Sequence, residues 1–163
     1  MAIAADIFDR LKQDHDRHRE LIAGIEQAAA GSDQQGTLFE QFTIDVKSHA
    51  AAEEQALYST MLRKPETTDE TRHSVAEHHR IEVALNDLAA TGAGTPEWME
   101  KFGQLKHAYL HHIGEEEDEH FPDFARYLTA ADEEYMRSVF DTRKKAEMRH
   151  AEVTPEKKEE AKE

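Results

Sequence analysis

The chain contains no cysteine. Disulfides, iron–sulfur clusters, thiolate zinc sites and thiol nucleophiles are therefore excluded. Glycine and proline are scarce, at 7 and 4 among 163 residues. No segment alternates β-branched with polar residues, so the material for a sheet is missing. No stretch approaches the ~18 consecutive apolar residues of a membrane-spanning helix. The opening MAIAADIFDR has no basic segment ahead of an apolar run, so a secretory leader is not expected and a cytoplasmic protein is. Positive charge is also short: 20 Lys and Arg face 35 Asp and Glu, for a net charge of −15. That excess argues against nucleic-acid and anionic-membrane partners. The length suits one domain. It is expected over residues 1–150, followed by a charged, disordered tail over 151–163 that is almost wholly EVTPEKKEEAKE.

What is abundant is histidine, 11 residues in all, and helical periodicity. Helix A is expected from about Ala5 to Ala29 on Phe8, Leu11, Ile22 and Ile25, ended by Gly31-Ser32-Asp33 and Gly36. Helix B runs from about Leu38 to Leu62 on Phe39, Phe42, Val46, Leu57 and Met61. Helix C starts near Thr68-Asp69 and carries Val75, Ile81, Leu85 and Leu88. Thr95-Pro96-Glu97 is a strong start signal for helix D, with Thr as cap, Pro at the first helical position and an acid in the first turn. Helix D runs to about Phe121, with Pro122 just beyond. A fifth, shorter helix covers about Ala131 to Arg149. Amphipathic helices joined by short turns predict an all-α, up-down-up-down four-helix bundle with a short C-terminal fifth helix.

The chain also repeats itself with a constant offset of 63 residues. His15 maps to His78, and His49, Glu53 and Glu54 map to His112, Glu116 and Glu117. Apolar positions follow the same rule: Ile22 to Leu85, Phe39 to Phe102, Phe42 to Leu105, Tyr58 to Phe121. Helices A and B thus recur as C and D, and two such pairs pack with approximate two-fold symmetry. His49 and Glu53 lie about 40° apart on one helix face, the face of Phe42 and Val46. His112 and Glu116 do the same beside Leu105 and Tyr109. His15 and His78 fall on the apolar stripes of helices A and C.

The bundle interior is therefore asked to hold four imidazoles and two carboxylates. Burying a bare carboxylate costs about several kcal/mol. Protonation, pairing with imidazolium, or metal ions can compensate. A nitrogen and oxygen donor set without sulfur suits Fe, Mn or Zn, whereas Mg and Ca prefer oxygen alone. A single inward His is most often a satisfied core residue, and a single H-x-x-x-E is commonly a surface pair. Four inward His, two inward Glu and one shared offset together favour a dinuclear metal site at His15, His49, Glu53, His78, His112 and Glu116.

The stretches LKQDHDRHRELI, KSHAAAEEQALY, VAEHHRIEVALNDL and LHHIGEEEDEHFP resemble the hemerythrin-like, or HHE cation-binding, proteins. The likeness covers about residues 5 to 125. It implies a four-helix bundle holding two Fe ions with an oxo or hydroxo bridge, Mn or Zn being less favoured, and a small diatomic or peroxidic ligand. By that resemblance His15, His49, His78 and His112 are terminal ligands, and Glu53 and Glu116 bridge. The oxygen-carrying members place a further His one turn before the third-helix ligand, where this chain has Ser74. Of about 12 positions on two octahedral ions, about two are then left open. Such a centre is expected to suit NO, peroxide or O2 reduction better than reversible oxygen carriage.

His18, Tyr109 and His120 are candidates for a further ligand, or for hydrogen bonding and packing beside the ligands. His73, His79, His107, His111 and His150 are expected at the surface. Asp14 and Glu77 each precede a candidate ligand and could serve as acceptors beside it, but adjacent helix residues diverge by about 100°, so these two and most of the run Glu115 to Glu119 are expected as solvated charge. Three functions compete: a di-iron protein for O2, NO or peroxide in sensing or stress defence; an iron-handling or metal-dependent interaction module without turnover; and a plain interaction module whose His and Glu are structural. The protein partner of the second and third readings is not identifiable from the residues.

Overall fold

The computed structural model describes residues 6–151. They form helices and turns, with no strand among the described residues. In chain order these are α1 (Ile7–Gln27), α2 (Asp33–Glu53), a π turn (Glu54–Tyr58), α3 (Ser59–Met61), α4 (Thr68–Ala89), α5 (Pro96–Glu115), a second π turn (Glu116–His120), α6 (Phe121–Ala125) and α7 (Ala130–His150). Each π turn joins its flanking helices into one rod. The result is four antiparallel rods with α7 as a fifth, in which α1 pairs with α2 and α4 with α5.

Local chemistry explains most boundaries. The Asp6 carboxylate accepts the Asp9 N–H at 2.8 Å and starts α1. Thr95 accepts the Trp98 N–H at 3.2 Å, with Pro96 in the first turn of α5. Thr129 and Asp132 exchange bonds in a capping box that starts α7. Two boundaries depart from the sequence expectation. The second rod begins at Asp33, ahead of Leu38, because Ser32 caps it by accepting the Gln35 N–H at 3.2 Å and Gly36 is simply helical. The fourth rod continues through Pro122, which lies near the start of α6. The π turn has already broken the i→i−4 ladder there, so the missing proline N–H costs little. The expected tail lies, apart from Ala151, outside the described residues.

Two apolar clusters fill the bundle. One gathers Ile22, Ile25, Phe42, Leu85, Trp98 and Phe102; the other gathers Ile7, Leu11, Leu57, Phe121, Phe124 and Phe140. On α1 the first cluster takes residues 21–25 and the second takes 7–11. His15 and His18 fall between them, both at 0% exposure. The same interruption recurs at His49 and Glu53 on α2, and at His112 and Glu116 on the fourth rod. A polar layer is thus sandwiched between two apolar plugs. Val75 departs from the expected inward stripe and is exposed.

The 63-residue repeat extends into the turns. Gly31 and Gly94 occupy equivalent positions in the α1–α2 and α4–α5 turns, with φ of 77° and 76°. The two turns touch: a Cβ on Gly94 would lie 2.8 Å from the Gly31 Cα. This contact closes one end of the bundle on its approximate two-fold axis. Replacing Gly94 by Ala is expected to cost about 1–2 kcal/mol for left-handed backbone alone, and more for the collision. Gly36→Ala, with nothing within 4 Å of the new methyl, is expected to be neutral or stabilising. Urea unfolding of the two variants against the parent chain checks the contrast.

Candidate metal centre

Six residues meet in the polar layer, and all are buried. The donor atoms of Glu53, His78, His112 and Glu116 lie within 4.8 Å of one another, as do those of His15, His49 and Glu53. Glu53 belongs to both groups. These are the six positions selected from the repeat. Imidazole rings pair across the layer, His15 with His49 at 5.1 Å between centroids and His78 with His112 at 4.8 Å.

The orientation of the four rings has one cause. Every Nδ1 faces a carboxylate: His15 faces Glu117 at 2.8 Å, His49 faces Asp14 at 2.8 Å, His78 faces Glu54 at 3.3 Å, and His112 faces Glu77 at 3.1 Å. An ionised carboxylate only accepts, so each Nδ1 carries the hydrogen and donates it. Each Nε2 is then turned toward the middle of the bundle. The acceptors obey the 63-residue offset too. Asp14 and Glu77 precede the α1 and α4 histidines, and each supports a histidine of the following rod. Glu54 and Glu117 follow Glu53 and Glu116, and each supports a histidine of the other helix pair. The sequence favoured solvent for Asp14 and Glu77, with an acceptor role as the alternative, and placed Glu117 on a solvated face. In the structure Asp14 and Glu77 are buried and Glu117 is half-buried. A helix residue one step round from an inward histidine faces the seam with a neighbouring helix, not open water.

At the centre several buried polar atoms lack a hydrogen-bond partner. Nε2 of His15 and of His49 and both oxygens of Glu53 are buried without a hydrogen bond. His78 Nε2 lies 3.1 Å from Glu53, and His112 Nε2 lies 2.6 Å from Glu116. Burial, then the neighbouring Glu116, pushes the Glu53 pKa well above the carboxylate range. Burial alone would raise Glu116, but the adjacent His112 outweighs it and holds Glu116 low. Burial likewise opposes charge on His112, yet Glu116 and Glu77 raise it to about 9. His49 is pushed down to about 3, chiefly by burial. His112 and Glu116 thus form a close imidazolium–carboxylate pair, while burial and the neighbouring acid disfavour charge on Glu53. Orphaned lone pairs around a shared carboxylate, with nitrogen and oxygen donors only, fit divalent transition-metal ions.

The remaining candidates take other places. Both ring nitrogens of His18 are engaged: Nδ1 with the Tyr109 hydroxyl, and Nε2 with Asp45 at 2.6 Å. Burial, together with Glu116 and Glu53, keeps the Tyr109 phenol protonated, so it donates to His18, which in turn donates to Asp45. Neither residue offers a free donor to the centre. His120 is buried but turned away from the six, with Nδ1 on Ser74 at 3.0 Å and Nε2 on Glu115 at 3.2 Å. Three groups were missed from the sequence. The Tyr58 hydroxyl donates to Glu116 at 2.9 Å, where apolar patterning suggested packing alone. Asp45 holds His18. Lys144 on α7 lies 2.6 Å from Asp14 and 3.1 Å from Asp45. With that lysine and His49 as partners, Asp14 stays well below the ordinary carboxylate range despite its burial.

Fold and site together define a helical cation-binding domain. The chain belongs to the hemerythrin HHE cation binding domain family, whose sequence profile matches residues 6–124. The crystal structure of a hemerythrin HHE cation binding domain-containing protein from Mycobacterium kansasii shares the fold, with a TM-score of 0.80, 21% identity and 90% coverage of each chain. No curated protein sequence matches the chain.

Glu117 tests the supporting carboxylates most cleanly, because it touches His15 and Arg19 without entering the core. Glu117→Ala is expected to weaken metal affinity about 10–100-fold with the helical fold retained. Chelator competition followed by circular dichroism provides the comparison; unchanged affinity would show that His15 does not depend on its acceptor.

Proposed function

We propose that the chain is a non-heme di-iron protein that binds O2, NO or peroxide within the bundle and serves sensing or stress defence. The observation that carries this reading is the convergence of four Nε2 atoms, each aimed by a carboxylate behind it, on two acids that share the centre. Glu53, common to both donor groups, would be shared by the ions of the two groups, with Glu116 beside it. When bound, the iron pair supplies redox chemistry and open positions for an added ligand.

The protein's own groups supply the rest. Four Nδ1–carboxylate bonds fix the ring tautomers before any ligand arrives. The Tyr58 hydroxyl pins one oxygen of Glu116. Burial raises both the Tyr58 and Tyr109 phenols well above their ordinary pKa, so each keeps its proton beside the centre. Ser74 stands one turn before His78 with its hydroxyl bonded to His120, and a hydroxyl so engaged is a poor replacement for an imidazole ligand. A cavity of about 520 Å³ runs between α2 and α4, with His49, His78, His112 and Tyr109 among its walls and Val75 and Ile81 beside them. It gives a small ligand a path to the centre.

Iron handling is the second reading. It is favoured by the orphaned buried atoms of His15, His49 and Glu53, which make the ion-free bundle costly and link loading to stability. The deciding experiment is elemental analysis of the purified protein, followed by anaerobic mixing of the reduced form with O2 and NO. Two iron equivalents, an NO adduct and rapid oxidation by O2 without a long-lived oxy form are expected. A stable, reversible oxy adduct would contradict the open centre. A loading-dependent melting temperature with no response to either gas would favour iron handling.

A further inference from the structure

A second cluster of donors lies outside the central six. His73 on α4 places Nε2 3.2 Å from Glu77 and 3.3 Å from Glu115. Glu115, at the end of α5, is also reached by His120 Nε2 and by His111 Nε2, each at 3.2 Å. The donor atoms of His73, Glu77 and Glu115 lie within 4.8 Å of one another, and so do those of Glu115, Glu119 and His120. His120 is 4% exposed, while the His73 side chain is 47% exposed. The cluster is therefore anchored inside and open to solvent outside. Through Glu77 it touches the centre: the same Glu77 oxygen that meets His73 accepts the Nδ1–H of His112.

The internal repeat shows what the cluster replaces. His73 is the counterpart of Arg10, and Glu77 that of Asp14. In the first half Arg10 Nη1 donates to Asp14 at 2.7 Å, and Lys144 from α7 adds a second fixed cation at 2.6 Å. In the second half both permanent cations are gone. Glu115 and His120 stand where the first half has the buried, apolar Ala52 and Leu57. α7 packs mainly on α1 and α2, and so does not supply the missing charge. The position behind Glu77 has thus exchanged a guanidinium and an ammonium for imidazoles and a carboxylate, side chains that bind ions.

We propose that His73, Glu77 and Glu115 form a third, exchangeable site for a divalent first-row transition ion, behind the His112 side of the centre, with His120 holding Glu115 from the buried side. An imidazole and two carboxylates without sulfur favour Zn2+, Fe2+ or Mn2+ over Ca2+ and Mg2+. Solvent access on one side makes the ion exchangeable, in contrast to the buried six. An ion on Glu77 also competes with His112 for that carboxylate, so filling this site alters how firmly one histidine of the centre is held. The site stands on its own donors and does not depend on which ions occupy the centre.

The test uses the full chain as purified, with its metal content counted first. Zn2+ is then added and bound metal is measured by equilibrium dialysis for the parent chain and for His73→Ala, Glu115→Gln and the surface control His107→Ala. Expected is one further equivalent in the parent and the control, weakened at least tenfold in both cluster variants, with circular dichroism unchanged. Anomalous scattering at the zinc edge is expected to show the ion between His73, Glu77 and Glu115. The absence of any equivalent sensitive to His73 and Glu115 would overturn the site and show that imidazolium–carboxylate pairs satisfy the cluster. That result leaves the central iron reading standing. Conversely, a centre that binds no iron does not remove an equivalent that depends on His73.

Discussion

The rest of the structure depends on the bond between an imidazole Nδ1–H and a carboxylate behind it, made four times. A buried histidine is otherwise free to choose its tautomer and to satisfy itself within the core. Here that choice is removed before any ion arrives, and the bond is charge-assisted, roughly twice as strong as a neutral one. Each Nε2 is left facing a space shared with Glu53 and Glu116. The fold supports the arrangement by setting an apolar plug on either side of the polar layer, which keeps water from competing for the donors. The cost of that exclusion is visible in the unpaired atoms of His15, His49 and Glu53, and ions relieve it.

Duplication explains why the arrangement is self-consistent. One spacing relates the ligand candidates, their carboxylates and the touching glycines Gly31 and Gly94. A change that suits one half therefore has a matching position in the other. The halves have nevertheless diverged where α7 joins the bundle. Arg10 and Lys144 neutralise Asp14 on one side, whereas Glu77 on the other is met by His73 and an imidazole-rich, solvent-facing patch. Metal ions held by such halves would experience different fields, since a fixed ammonium behind a carboxylate weakens its pull on the histidine it orients.

Much of this was legible in the chain because it is periodic. The caps at Thr95-Pro96, the helical stripes and the offset of 63 residues carried the bundle and the six convergent residues. What escaped was set by contacts between helices, which one-dimensional patterns do not encode. Asp14 and Glu77 read as solvated because they sit about 100° from their histidine neighbours, yet that rotation aims them at the adjacent helix. Glu117 was lost inside an acidic run whose other members do face water. Tyr58 passed as apolar because only its ring follows the pattern; its hydroxyl meets Glu116 across the bundle. Lys144 came from a helix with no counterpart in the repeat. The π turns after Glu53 and at Glu116 had no sequence signal apart from Pro122, which read as a stop.

The central claim is that the carboxylate-held imidazoles enclose ions around a shared glutamate. Anomalous diffraction from crystals of the iron-loaded protein tests it most directly. The account predicts two peaks, one beside His15 and His49 and the other beside His78 and His112, both next to Glu53. It is contradicted if the four Nε2 atoms bind one another, Glu53 or water across an ion-free layer.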